Sequence, residues 1–124
     1  MNLNQITLPS IDVKKATAFY TSLGLQLIVD ALPRYVRLEL PDGNATLSIH
    51  KVDELPKGNG IIIYFEDEHI DALVKQLKTK GITFISEPED KSYLWREAEL
   101  NDPDGNAIKI YYAGNNRKNP PWRI

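Results

Sequence analysis

Cysteine is absent from the sequence, which excludes disulfide bonds and thiolate chemistry. No apolar run approaches the roughly 18 residues that a membrane-spanning helix needs, and the opening segment lacks the charged and apolar regions of a signal peptide. Basic blocks are also missing, and the net charge is −2, so neither nucleic acid nor a membrane is expected as a partner. We therefore expect a cytoplasmic protein, and its 124 residues suffice for one moderate core.

The tetrapeptide Pro-Asp-Gly-Asn occurs twice, at positions 41–44 and 103–106. In each copy, proline fixes φ and glycine accepts a positive φ, so both copies favour a tight turn. Each turn is followed by an alternating segment typical of a strand, ATLSIHKV in the first copy and AIKIYY in the second. The repeated turn and strand suggest that a larger unit is duplicated in the chain.

Two helices are expected, one in each half of the chain. The segment SIDVKKATAFYTSLG has apolar residues at helical spacing, with Ser10 or Asp12 as its cap and Gly24 at its end. The segment DEHIDALVKQLKTKG has apolar residues at i, i+3, i+4 and i+7, and it ends at Gly81. The separation of Gly24 and Gly81 nearly equals that of the two turn glycines, which predicts a duplicated supersecondary unit.

Each half reads as strand, helix, strand, strand, turn and strand. One such half cannot cover its own sheet, whereas two halves can pair with their helices outside. We therefore predict a single domain over 1–124, with modules at about 3–51 and 60–113 and a C-terminal tail at 114–124. The expected strands are NQITLP, LQLIV, RYVRLEL, ATLSIHKV, IIIYFE, ITFIS, YLWREAEL and AIKIYY.

Two segments resemble the vicinal oxygen chelate superfamily, which includes glyoxalase I, extradiol dioxygenases and bleomycin-resistance proteins. ITLPSIDVKKATAFYTSLGLQLI is similar to its first strand and D…FY…LG helix, and REAELNDPDGNAIKIYYA is similar to its DPDGN hairpin. The resemblance covers residues 3–113 and implies an α+β fold in which paired βαβββ modules form a half-open barrel. It also implies a small-molecule ligand and a homodimer, because family members commonly cover the open sheet edge with a partner subunit.

Enzymes of this superfamily typically hold a divalent metal through His and Glu side chains on four strands. The resemblance places those ligands at Gln5, near Ser48, at about Ile61 and at Lys109. Ile61 cannot coordinate a metal and Lys109 would repel a cation, so we expect no metal cofactor. A divalent metal at a shifted site is the alternative. Its ligands would come from His50, Glu39, Glu97 and Glu99.

Alternation along the strands divides the side chains between the core and the inside of the barrel. The core-facing set is apolar: Ile6, Leu8, Val36, Leu38, Leu40, Leu47, Ile49, Leu94, Ala98, Leu100, Ile108 and Ile110. The inward-facing set is polar and aromatic, as in small-molecule pockets. We predict these ligand-binding residues from that set: Gln5, Tyr35, Arg37, Ser48, His50, Trp95, Glu97, Lys109 and Tyr111. Its other members are Thr7, Glu39, Thr46 and Glu99.

Besides the shifted metal site, three roles are open to His50. It is a solvated histidine at a strand end, a ligand contact, or a general base oriented by Glu97 or Glu99. If the protein is catalytic, these three residues are the candidates. The sequence does not choose among them.

The remaining inward-facing residues define the expected ligand. Arg37 and Lys109 can receive an anionic group or pair with glutamates across the strands. Trp95 and Tyr111 can stack on a planar ligand or simply pack the barrel. A purely apolar ligand would leave the charges desolvated, so we expect a flat, mixed-charge or zwitterionic compound.

The leading hypothesis is a small-molecule-binding protein of the glyoxalase/bleomycin-resistance type that works without the usual metal site. The alternative is a metal-dependent lyase or dioxygenase-like enzyme with an unusual ligand set around His50 and Glu97 or Glu99. Whether the protein is an enzyme is undecided by the sequence. Stoichiometric metal in the purified protein would separate the two hypotheses.

Overall fold

The computed structural model describes all 124 residues, which form two compact units. Unit 1 comprises Met1–Gly60 together with Asp102–Gly105, and unit 2 comprises Ile61–Asn101 together with Asn106–Ile124. Each unit contains one α-helix and one four-stranded sheet. The structure contains no helix with the length and apolar character needed to cross a membrane.

Unit 1 has the order strand, helix and three strands. Its elements are β1 (Gln5–Ser10), α1 (Val13–Ser22), β2 (Gln26–Ala31), β3 (Tyr35–Glu39) and β4 (Thr46–Lys51). The strand order in the sheet is β1-β4-β3-β2, with β1 parallel to β4 and the other pairs antiparallel. Of the two expected caps, Asp12 is the one that caps α1, because its carboxylate accepts a hydrogen bond from the backbone N of Lys15 at 3.1 Å.

The core of unit 1 lies between α1 and one face of the sheet. The helix packs on β2, β3 and β4 and buries Val13, Ala16 and Tyr20. Alternate residues of the strands complete this core, which contains Leu8, Val36, Leu38, Leu47 and Ile49. Each buried aliphatic side chain contributes about 1.5–3 kcal/mol, so this face fixes the pairing register of the sheet. Most of the predicted core-facing set of the first half is therefore confirmed, while Ile6 and Leu40 are only half-buried.

Unit 2 repeats this arrangement. Its elements are β5 (Ile62–Glu66), α2 (Ile70–Thr79), β6 (Ser86–Asp90), β7 (Arg96–Asn101) and β8 (Ala107–Tyr112), followed by a short 3₁₀ helix (Gly114–Arg117). The strand order is β5-β8-β7-β6, with β5 parallel to β8. The predicted α+β class and the repeated βαβββ order are confirmed. That the two modules form a single domain stays a prediction.

Two expected strands of unit 2 are shifted along the sequence. The segment ITFIS lies almost wholly before β6, which begins at Ser86 and continues through Glu-Pro-Glu-Asp. This strand has weak intrinsic β-propensity and exists because it pairs with β7. Pro88 is tolerated there because β6 is an edge strand, where a missing backbone N–H costs no ladder bond.

The first residues of YLWREAEL form a turn instead of a strand. The backbone N of Lys91 donates to the carbonyl of Trp95 at 2.8 Å, and β7 begins at Arg96. Leu94 has a φ of 67° and a side chain that is 48% exposed. The prediction that Leu94 faces the core is therefore wrong, because the turn takes it out of the strand alternation.

The two Pro-Asp-Gly-Asn turns have different surroundings. The first is exposed and joins β3 to β4 within unit 1. In the second, Asp102 is buried and its Oδ2 accepts a hydrogen bond from the Tyr20 hydroxyl at 2.7 Å, while Asp104 accepts one from the backbone N of Ile11 at 3.0 Å. Burial and the charge of Asp102 raise the pKa of Tyr20, so it remains a donor. The second turn is thus part of unit 1, although the strands it joins belong to unit 2.

Candidate functional site

Unit 1 carries a hydrogen-bonded group of polar side chains on the sheet face opposite its core. This Arg37 cluster consists of Gln5, Tyr35, Arg37 and Ser48, which come from β1, β3 and β4. It forms because β4 lies between the other two strands and pairs Arg37 directly with Ser48. All four residues were predicted to bind a ligand, and the structure brings them together.

Ser48 is the centre of the Arg37 cluster. Its side chain is fully buried, and its Oγ accepts a hydrogen bond from Gln5 Nε2 at 2.8 Å and lies 2.7 Å from the Tyr35 hydroxyl. The Thr46 hydroxyl donates to Gln5 Oε1, which directs the Gln5 amide nitrogen toward Ser48. The polar atoms of this face are therefore held in fixed positions.

Arg37 completes the cluster with its guanidinium. Nε and Nη2 donate to the Tyr35 hydroxyl oxygen at 3.1 and 2.9 Å, and the guanidinium carbon is 5.8 Å from the centroid of the Tyr35 ring. The hydrogen bond with Ser48 and, to a smaller extent, Arg37 lower the pKa of Tyr35 below its ordinary value, although desolvation acts in the opposite direction. The cluster thus favours negative charge.

Unit 2 carries a second group, in which aromatic rings surround an ion pair. This Lys109 cluster consists of Tyr64, Tyr93, Trp95, Glu97, Lys109 and Tyr111. It forms because β8 lies between β5 and β7 and pairs Lys109 with both Tyr64 and Glu99. Four of its members were predicted to bind a ligand, namely Trp95, Glu97, Lys109 and Tyr111.

The ion pair of the Lys109 cluster is buried. Lys109 Nζ lies 3.0 Å from Glu97 Oε1 and 3.5 Å from Glu99 Oε1, and the Glu97 side chain is only 1% exposed. Desolvation lowers the pKa of Lys109, but the hydrogen bond and the charge of Glu97 outweigh it, so the pKa is raised overall and the lysine is charged. Glu97 Oε1 also accepts a hydrogen bond from Tyr93, whereas the buried Oε2 has no donor.

The aromatic rings form two layers. Trp95 and Tyr111 stack with centroids 4.8 Å apart and planes at 29°, and Tyr111 is only 6% exposed. Tyr64 meets both rings edge-to-face, at centroid distances of 5.8 and 5.3 Å, and is 41% exposed. Tyr93 is 39% exposed, and burial followed by its hydrogen bond to Glu97 raises its pKa to about 12. The inner pair therefore supports the two rings that remain accessible.

Sequence reasoning missed Tyr64 and Tyr93. Placing Ile61 inside the barrel would put Ile63 there as well, but Ile63 is buried in the core and pairs with Ile108. The face that carries Lys109 therefore holds Ile62 and Tyr64, and the assignment of Ile61 is wrong by one residue. The alternation of apolar residues along the strand could have predicted that Tyr64 faces away from the core. The position of Tyr93 could not be predicted in this way, because it is set by the turn before β7.

The other candidates lie outside the two clusters. His50 is exposed at the end of β4 and forms no side-chain hydrogen bond or ion pair, so nothing orients it as a general base. Glu39 is exposed on β3 and also forms no ion pair. No group of three or more His, Cys, Asp or Glu side chains is close enough to hold a metal ion. The alternative ligand set of His50, Glu39, Glu97 and Glu99 therefore has no support in the structure.

The sequence matches the family model of the Glyoxalase/Bleomycin resistance protein/Dioxygenase superfamily over residues 2–110. The chain belongs to this superfamily. A search of curated proteins finds no significant match.

Solved structures of the superfamily are similar to this chain. A glyoxalase/bleomycin resistance protein/dioxygenase from Nocardioides has a TM-score of 0.80 at 21% identity, covering 100% of this chain and 89% of that one. A family enzyme from Burkholderia phytofirmans PsJN has a TM-score of 0.74 at 23% identity, covering 91% and 99%. Lactoylglutathione lyase from Agrobacterium tumefaciens has a TM-score of 0.72 at 17% identity, covering 90% and 92%. These likenesses establish the fold.

The metal-ligand positions that the superfamily resemblance implies do not fit a divalent cation in this chain. Ser48 and Gln5 form a hydrogen bond with each other, and Lys109 carries a positive charge. Neither Ile61 nor Ile62, which takes its place on this face, has an atom that can coordinate a metal. Divalent transition metals in proteins are held mainly by carboxylates, imidazoles and thiolates, and none of these groups occurs at the four positions.

Proposed function

We propose that the protein binds a planar small molecule that carries both charge signs, and that it does so at the Lys109 cluster without a metal. The observation that carries the proposal is a set of aromatic rings around an ion pair whose carboxylate keeps one oxygen without a donor. Aromatic walls with a few convergent polar groups are typical of small-molecule sites. A cluster needed only for stability would favour a fully satisfied or fully apolar face.

The accessible rings set the shape of the ligand. Tyr64 and Tyr93 are each partly open to solvent, whereas Trp95 and Tyr111 are packed behind them. A flat molecule laid on an exposed ring gains apolar burial and about 0.5–1.5 kcal/mol from ring geometry. An extended aliphatic molecule gains only the burial.

The charges set the ligand's polar groups. Lys109 is the single cation beside two carboxylates, Glu97 of the cluster and the neighbouring Glu99, so one negative charge is left over. Glu99 is 39% exposed and can receive a cationic or hydrogen-donating group of a ligand. A purely anionic ligand would be repelled by the extra carboxylate. A purely apolar ligand would remove that carboxylate from water without giving it a new partner.

Tryptophan fluorescence tests the proposal, because the chain has only two tryptophans. Trp122 lies in the tail and is 57% exposed, so Trp122→Phe leaves Trp95 as the single reporter inside the cluster. We would titrate four compounds that each contain one benzene ring and differ in charge: 4-(aminomethyl)benzoate, benzylamine, toluene and benzoate. The expected order of decreasing affinity is 4-(aminomethyl)benzoate, benzylamine, toluene and benzoate.

Two variants sharpen the experiment. Glu99→Gln removes the exposed carboxylate and should narrow the difference between benzylamine and toluene. The matched control, Glu54→Gln, removes an exposed carboxylate from the segment that follows β4 in unit 1 and should leave the order unchanged. The proposal fails if none of the compounds changes the Trp95 emission, or if benzylamine, toluene or benzoate binds more tightly than the zwitterion.

A further inference from the structure

We infer that the Arg37 cluster of unit 1 is a binding site for an anionic oxygen group, either a carboxylate or a phosphate. Its four residues all differ from those of the aromatic site proposed above. It is assigned from the partners of Arg37 and from the number of donors and acceptors among the four side chains.

Arg37 lacks the acidic partner that the other arginine on a sheet face has. The guanidinium of Arg96 pairs with Asp71 at 2.7 Å and with Asp90 at 3.1 Å. Arg37 forms no ion pair, and its hydrogen bonds go to neutral oxygens of Tyr35 and Ser48. Its Nη1 donates to no protein atom. A guanidinium held by neutral groups retains its charge and its fork of donors for a ligand.

The Tyr35 and Ser48 hydroxyl groups have one more proton to donate than the cluster has acceptors for. Tyr35 and Ser48 together bring two hydroxyl protons but share a single oxygen–oxygen contact of 2.7 Å, which uses one of them. The two hydroxyl oxygens already accept hydrogen bonds from other groups, because Gln5 Nε2 donates to Ser48 and Arg37 donates to Tyr35. The second proton has no protein acceptor. An anionic oxygen in this position would accept from that hydroxyl and from Arg37 Nη1.

The site is also rigid and open on one side. Ser48 is fully buried and anchors the hydroxyl pair, while Arg37 and Gln5 are exposed at the surface of the sheet. Glu39 lies two residues beyond Arg37 on β3, and no ion pair joins the two side chains. Its charge opposes an anion, so Glu39→Gln should strengthen binding.

Nuclear magnetic resonance titration of the ¹⁵N-labelled full chain tests the inference. The probes are sodium acetate and sodium phosphate, compared with sodium chloride at equal ionic strength. We expect saturable shifts of the Arg37 Nε–H and of the Gln5 side-chain amide with at least one of the two oxyanions. Saturation with acetate alone identifies a carboxylate site, and saturation with phosphate alone identifies a phosphate site.

Variants of matched charge decide whether the shifts report this site. Arg37→Gln should weaken binding at least tenfold, and Tyr35→Phe should weaken it several-fold while keeping the ring. The control is Arg34→Gln, which removes an exposed arginine that has no side-chain partner, and it should leave binding unchanged. Shifts that stay linear and match those with chloride would overturn the inference. An equal loss in Arg34→Gln, or unchanged binding in Arg37→Gln, would overturn it as well.

Discussion

Replacing Lys109 by methionine tests whether the buried ion pair stabilises unit 2. The Nζ–Oε1 distance of 3.0 Å corresponds to an attraction of roughly 5 kcal/mol at an effective dielectric constant of about 20. Removing the lysine leaves Glu97, which is 1% exposed, without a cation, and breaking such a pair from one side costs about 3–5 kcal/mol. Lysine keeps 17% of its side chain exposed, so we expect the lower end, about 3 kcal/mol.

Urea unfolding followed by circular dichroism measures this loss in the free energy of unfolding. The control is Lys75→Met, which changes an exposed lysine of α2 and should cost no more than about 0.5 kcal/mol. The double variant Lys109→Met/Glu97→Gln removes the uncompensated charge and should recover about 1–3 kcal/mol relative to additivity. The reasoning is refuted if Lys109→Met costs no more than Lys75→Met, or if the double variant loses the full total of the two single losses.

Four further predictions concern stability, metal content and assembly. Tyr20→Phe should cost about 1.5–3 kcal/mol, because it removes a buried hydrogen bond to the carboxylate of Asp102. Tyr112→Phe should cost little, because Tyr112 is 41% exposed and its hydroxyl forms no hydrogen bond, and equal losses in urea unfolding would contradict this. The folded pKa of Tyr93, about 12, exceeds its ordinary value of 10.0, so its stabilisation is complete below pH 10 and is lost as the pH rises towards 12. The free energy of unfolding should therefore fall less steeply between pH 10 and pH 12 in Tyr93→Phe than in the unmodified protein. Parallel curves for the two proteins would contradict this prediction. Elemental analysis after purification without chelator should find no stoichiometric metal; about one transition metal per chain, lost in His50→Ala, would favour the shifted site. We also propose a homodimer, and sedimentation at micromolar concentration showing only a 14.1 kDa species would exclude it.

The strand alternation was enough to predict the repeated order of elements and most of the core. In β3 and β4 the apolar residues occupy every second position, and Val36, Leu38, Leu47 and Ile49 are all buried. The same alternation placed Tyr35, Arg37 and Ser48 on the opposite face, where they meet. Period-two patterns carry this information because a one-residue slip would reverse the faces of the whole strand.

The sequence was less informative where pairing overrides local propensity. Nothing in Ser-Glu-Pro-Glu-Asp favours a strand, yet β6 forms at the sheet edge because β7 supplies its hydrogen bonds. A run of three isoleucines before Tyr64 hides which residue faces the core, so Ile61 was assigned one position out of register. Side-chain contacts such as that of Tyr93 with Glu97 depend on a turn geometry that propensity does not specify.

The position of the second Pro-Asp-Gly-Asn turn affects how the protein is made. Asp102 lies 82 positions after Tyr20, so the ribosome has produced most of the chain before the hydroxyl in the first core meets its acceptor. Until then the N-terminal module can collapse but keeps a buried polar group unpaired, which costs free energy. Nascent chains that stop at Gly60 should accordingly be more sensitive to protease than those that continue past Gly105. The two modules repeat the same order of elements, but we expect the first to complete its core only after the segment with Asp102 has been synthesised.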